Sequence, residues 1–101
     1  MKQLTTLPEP WHAISHLFVA LGDAHRQRIL LSFEHNERLT ILQIVEASQL
    51  SRTAVTHHLK VLARGGALNS EKVGREVYYW VNKVWMQQAL QNVLDYIQDE
   101  I

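Results

Sequence analysis

Apolar side chains recur along this chain at intervals of three and four, then two, then three and four again. Ile14, Leu17, Phe18 and Leu21 fall on one helical face, and Gly22 ends the run. Asp23 is a good N-cap for a second helix, Ala24 to about His35. There Ile29, Leu30 and Phe33 face inward, while His25, Arg26 and Arg28 face outward. After the polar break at Asn36, Glu37 and Arg38, Thr40 caps a short third helix, Ile41–Ala47, that buries Ile41, Ile44 and Val45. Residues 48–51 form a turn, and Ser51 caps a fourth helix. Val55, Leu59 and Leu62 make its buried stripe, and Gly65 and Gly66 stop it.

The period then changes to two. Leu68–Val73 and Glu76–Val81 have strand composition, with Gly74-Arg75 as the turn between them. Val77, Tyr79 and Val81 share one face, opposite Glu76, Tyr78 and Trp80, and these strand aromatics read as core. Asn82 caps a closing helix whose Trp85, Met86, Ala89, Leu90, Val93, Ile97 and Ile101 keep helical spacing to the last residue. The pattern predicts a mainly α fold with a small β-hairpin: four helices, the hairpin and a fifth helix. Residues 1–10, with two prolines and two threonines, read as an extended lead-in to one domain over residues 11–101. A chain of 101 residues that is 47% apolar has material for one core and no more.

A short helix, a tight turn and a second helix make a helix-turn-helix, in which the second helix reads DNA. On that helix Arg52, Thr53, Thr56, His57 and Lys60 point away from the buried stripe. Such side chains suit base edges and phosphates, with Arg52 and Lys60 assigned to phosphate. Arg75 at the hairpin tip, supported by Lys72, is placed to reach the backbone or minor groove beside it. His58 lies nearer the buried stripe, where packing competes with DNA contact. Lys and Arg equal Asp and Glu at ten each, yet residues 51–76 hold five basic against two acidic side chains. A neutral chain predicts modest, salt-sensitive binding unless two copies act together. The apolar closing helix, with Trp11 and the first helix, supplies material for a two-fold interface. The neutral total also leaves open an interaction module that binds protein on the same scaffold.

Other chemistries fare worse. Without cysteine there is no disulfide, no thiolate ligand and no thiol switch. No apolar run nears the roughly 18 residues of a membrane span, and the N-terminus lacks a signal-peptide core, so a cytoplasmic protein is expected. Neither a phosphate loop nor a His-Glu-x-x-His helix is present, and His57 and His58, as helix neighbours, diverge by about 100°. No catalytic residue and no cofactor is assigned. His12 and His16, at i and i+4, are half a metal site, and no metal ligand is assigned.

LGDAHRQRIL (residues 21–30), SRTAVTHHLKVLARGGAL (residues 51–68) and VGREVYYW (residues 73–80) resemble, in order and spacing, three signature blocks of the ArsR/SmtB family of bacterial winged helix-turn-helix repressors. The resemblance runs from about residue 13 to the C-terminus. It implies a homodimer joined through the first and fifth helices, with the fourth helix in the major groove of duplex DNA. Half-sites about one helical turn apart are then expected. The family's thiolate site would fall in Arg38-Leu39-Thr40-Ile41-Leu42-Gln43, where Thr40 replaces the cysteine. Its terminal-helix site would fall on Lys83, Trp85, Tyr96 and Asp99, which leaves at most one usable ligand. The resemblance thus implies a DNA-binding repressor without either metal sensor. Its effector would be an unidentified small molecule or protein, an unusual site among His12, His16, His25 and His35, or absent.

Overall fold

The computed structural model describes residue 1 and residues 5–101. Its elements run α1 (Glu9–Leu21), α2 (Ala24–Leu31), β1 (Leu39–Thr40), α3 (Ile41–Ala47), α4 (Arg52–Arg64), β2 (Leu68–Val73), β3 (Glu76–Val81) and α5 (Lys83–Glu100). The strands form one antiparallel sheet in the order β1-β3-β2. Leu68 pairs with Val81 and Val73 with Glu76, and Leu39 pairs with Tyr79.

Local chemistry accounts for the helix boundaries. Asp23, Ser51 and Asn82 each accept a hydrogen bond from a backbone N–H three residues on, at 3.1, 3.1 and 3.2 Å. Thr40 forms a full capping box: Gln43 N–H donates to its Oγ1 at 3.2 Å, and its own N–H donates to Gln43 Oε1 at 2.8 Å. The end of α4 is a Schellman motif. Gly66 N–H donates to Ala63 O at 3.0 Å and Ala67 N–H to Leu62 O at 2.9 Å, with Gly66 at φ +77°. A side chain on Gly66 would run into the Trp85 ring, so both backbone and space demand glycine. Gly74, at φ +62°, takes the first position of the hairpin turn, as a type II′ turn requires.

Three expectations are corrected. Helix α1 begins at Glu9, with Pro8 as N-cap and Pro10 tolerated in the first turn, so the lead-in is shorter than ten residues. Residues 2–4 of that lead-in lie outside the described residues. Helix α2 stops at Leu31 instead of about His35, and Asn36, at φ +59°, turns the chain toward the sheet. The hairpin also gains a third strand, since β1 pairs with β3 before its Thr40 caps α3.

Ile14, Leu17, Val55, Leu59 and Leu62 are the largest side chains sealed in the core, joined by Ala20, Ile29, Ile44, Leu68, Tyr79 and Ala89. Truncating Leu17 or Leu59 to alanine would cost about 2–5 kcal/mol. Phe18, placed on the inner stripe by its spacing, is 45% exposed, and Ala20 takes the buried position. The radius of gyration is 15.6 Å, against about 13 Å for a compact domain of this length, and the long axis extends 51 Å. Helix α5 contributes to that elongation. It runs 18 residues, about 27 Å, and buries only Ala89 completely. No helix among the described residues is long and apolar enough to cross a membrane.

Candidate nucleic-acid interface

Helix α4 is held from behind by two sets of contacts. Its inner stripe packs on α1 and α3, and its N-terminal half meets α2 through a set of polar groups. Arg26 organises that second contact. Its Nε donates to Ala20 O at 3.0 Å and its Nη2 to Val19 O at 2.9 Å, while Gln27 Nε2 donates to Leu21 O at 2.6 Å. Carbonyls at the end of α1 thereby gain side-chain donors from α2, Val19 O in addition to the Gly22 N–H that it accepts at 3.2 Å. Arg26 Nη1 continues to Nδ1 of His58 at 3.2 Å. Arg26, expected to face outward, is therefore half-buried structural material. The mixture of cation and small polar residues in residues 21–30 was the available signal.

His58 falls on the packing side. It stacks on His25, with ring centroids 5.6 Å apart, and burial, with the Arg26 charge adding to it, pushes its pKa below 6.5. The Asp23 carboxyl is also shifted down, but there the shift favours the charge: the Arg26 N–H at its carboxylate holds its pKa below the ordinary 3.8.

The opposite side of α4 is open. Arg52, Thr53, Thr56, His57 and Lys60 line one shallow concavity of about 430 Å³. Among the described residues, Arg52, Thr53, Thr56 and Lys60 make no side-chain hydrogen bond or ion pair, so the fold leaves their polar groups to solvent or a ligand. The Ser51 cap and the unpaired N–H groups of the first turn lie at the end of the same strip.

Lys72 and Arg75 do not join that concavity. Both are exposed on the hairpin, Arg75 in its turn. Lys72 pairs with Val77, so it shares the sheet face of Leu68, Tyr79 and Val81, which is the face turned to the helices. On the other face Arg38 fixes the wing: its Nη1 donates to Glu71 Oε2 at 2.8 Å and its guanidinium lies 3.9 Å from the Trp80 ring centroid. No spacing rule in the sequence linked Arg38 to residues 33 and 42 positions further on.

The positions of the two resembled metal sites have other contacts. Thr40 is engaged in its capping box. Lys83 Nζ donates to His35 Nδ1 at 3.0 Å, Trp85 Nε1 donates to Gly65 O at 3.2 Å, and Tyr96 meets Trp11 edge-on at 5.4 Å. His12 and His16 are exposed on α1, and Arg28 Nη2 donates to His25 Nδ1 at 2.7 Å. Among the described residues, no three His, Asp or Glu side chains converge as metal ligands.

Beyond its core contacts, α5 carries a second stripe. Leu90, Leu94, Ile97 and Ile101 follow one another at four, three and four residues and are 44–85% exposed, as are Phe18 and Val19 on α1 at 45% and 59%.

A helix-turn-helix completed by a hairpin after its second helix defines a winged helix-turn-helix protein. The family model for a helix-turn-helix domain matches residues 21–71. The chain is 28% identical over 86 residues to the "Transcriptional repressor SmtB homolog" of Synechocystis, an alignment covering 85% of this chain and 64% of that relative. The chain thus spans less than two thirds of that relative's length. An "ArsR-like Transcriptional Regulator from Rhodococcus sp. RHA1" superposes with TM-score 0.77 at 27% identity, covering 89% of this chain and 83% of that one. The homodimeric winged helix-turn-helix domain Mb0332 of Mycobacterium bovis shares the fold, with TM-score 0.71 and 17% identity over 100% and 93% of the two chains. The chain belongs to the helix-turn-helix domain family and, within it, to the ArsR/SmtB family of winged helix-turn-helix regulators.

Proposed function

We propose that this protein is a sequence-specific DNA-binding regulator that acts in the cytoplasm as a homodimer and represses by occupying its operator. The observation that carries this reading is the strip on α4, where five side chains of the groove-contacting kind line one concavity with no task in the core. In the major groove, Thr53, Thr56 and His57 would address base edges, and Arg52 and Lys60 the flanking phosphates. Arg75, with Lys72, would touch the neighbouring backbone or minor groove from the wing.

A single copy with no net charge gains little from phosphates, and pairing doubles that engagement. The exposed stripe of α5 with Phe18 and Val19 supports a two-fold partner, and the homodimeric state of the Mycobacterium bovis relative agrees. The contacts of Thr40, Lys83, Trp85 and Tyr96 support a regulator that works without the thiolate and terminal-helix metal sites.

Selection from a random duplex pool tests the reading. Enrichment of an inverted repeat, with half-site centres about one helical turn apart, is expected. A folded protein that enriches no motif would favour a protein-binding module instead.

A further inference from the structure

Between α2, α3 and the turn into α4 lies an open cavity of about 830 Å³. The DNA contact proposed above does not use it. Helix α2 presents it with a single face, because His25, Arg28, Ile29 and Ser32 fall at i, i+3, i+4 and i+7. Across from them stand Ile44 and Ala47 of α3 and Leu50 of the turn. Ile29 and Ile44 are core residues and Leu50 packs against that core, so the floor is apolar.

The lining carries both signs of charge. Arg28 is exposed, spends one donor on His25, and has no carboxylate partner among the described residues. Its planar fork of five N–H groups suits the paired oxygens of a carboxylate or sulfonate. Glu34 and Glu37 also line it, past the end of α2, and Glu37 Oε1 already accepts from Glu34 N–H at 3.2 Å. A second negative charge on a ligand would be repelled there. The volume falls within the roughly 300–1,000 Å³ of small-molecule sites.

We propose that this cavity binds a small organic anion. Its apolar, ring-sized body would cover Ile29 and Ile44, its acid group would sit on Arg28, and its far end would be neutral or would donate a hydrogen bond toward Glu34 and Glu37. Such binding goes beyond the DNA-binding reading and does not depend on it.

Titration of the full chain with anilinonaphthalene sulfonate, and with its uncharged analogue N-phenylnaphthylamine, tests the proposal in the absence of DNA. The sulfonate should bind saturably, one per chain, and the analogue about tenfold more weakly, for want of one charge-assisted hydrogen bond. Arg28→Gln should weaken the sulfonate by about that factor and leave the analogue unchanged. Ala47→Trp, which fills the cavity, should abolish both. Amide resonances of residues 25–32 and 43–50 should move on binding. Equal affinity for the two probes, indifference to both substitutions, resonance shifts confined to α5, or no saturable binding would each overturn the proposal.

Discussion

Nη1 of Arg26 lies 3.2 Å from Nδ1 of His58, and because a guanidinium can only donate, the His58 ring nitrogen must accept. A neutral imidazole with its proton on Nε2 is the form that satisfies this contact. Burial pushes its pKa below 6.5 in the same direction, and Asp23, the opposing charge, does not reverse it.

This pairing makes stability depend on pH. Between 6.5 and the lower folded value, the unfolded chain binds a proton at His58 and the folded chain does not. Stability from this group is complete above 6.5 and is lost as pH falls through that window. Urea denaturation at a series of pH values should show the decline, and His58→Gln should reduce its slope there. An unchanged slope would mean that His58 is not buried against Arg26.

Arg26 itself should matter through α1. Arg26→Ala takes the side-chain donor from the part-buried Ala20 carbonyl, while Val19 O keeps the Gly22 N–H, and should cost about 1–3 kcal/mol. Arg26→Lys should recover less than half of that, since a point charge cannot reach both carbonyls and His58 at once. Equilibrium unfolding of the three proteins reads the difference.

Two glycines separate strain from space. Gly74→Ala meets nothing within 4 Å and should cost only the left-handed backbone penalty, about 1 kcal/mol. Gly66→Ala adds a collision with the Trp85 ring and should cost about 3 kcal/mol or more. The order of the two melting temperatures checks the assignment.

Periodicity made most of this fold legible, and the omissions share physical causes. Caps at Asp23, Thr40, Ser51 and Asn82 are local devices, so residue identity and spacing were enough to find them. Strand β1 spans two residues, too short for any alternation to register. The early end of α2 follows from tertiary pairing of the chain beyond it, and Phe33 still packs on the core from outside the helix. Arg26 and Arg38 read as solvated charges because their partners lie 6 to 42 residues away, on other elements. The outward face of α4 was accessible in the sequence because a buried stripe at Val55, Leu59 and Leu62 dictates its complement. The cavity behind it was not, since its walls come from separate helices.

The two faces of α5 make the dimer testable. Ile97 is 53% and Leu94 48% exposed, so Leu94→Glu with Ile97→Glu should leave the domain folded and convert a dimer to a monomer in light scattering. A wild-type protein that stays monomeric at all concentrations would remove the two-fold arrangement.

The most direct measurement is fluorescence anisotropy of a selected duplex over a salt series, with wild type, Lys60→Gln and Arg75→Gln. Affinity should fall steeply with salt, and each substitution should lower the logarithmic salt slope by about one for every phosphate that the bound protein no longer neutralises. Sequence preference should survive both. Binding absent at low salt, or both variants matching wild type in affinity and slope, would contradict a DNA contact made by the outward face of α4 and the wing.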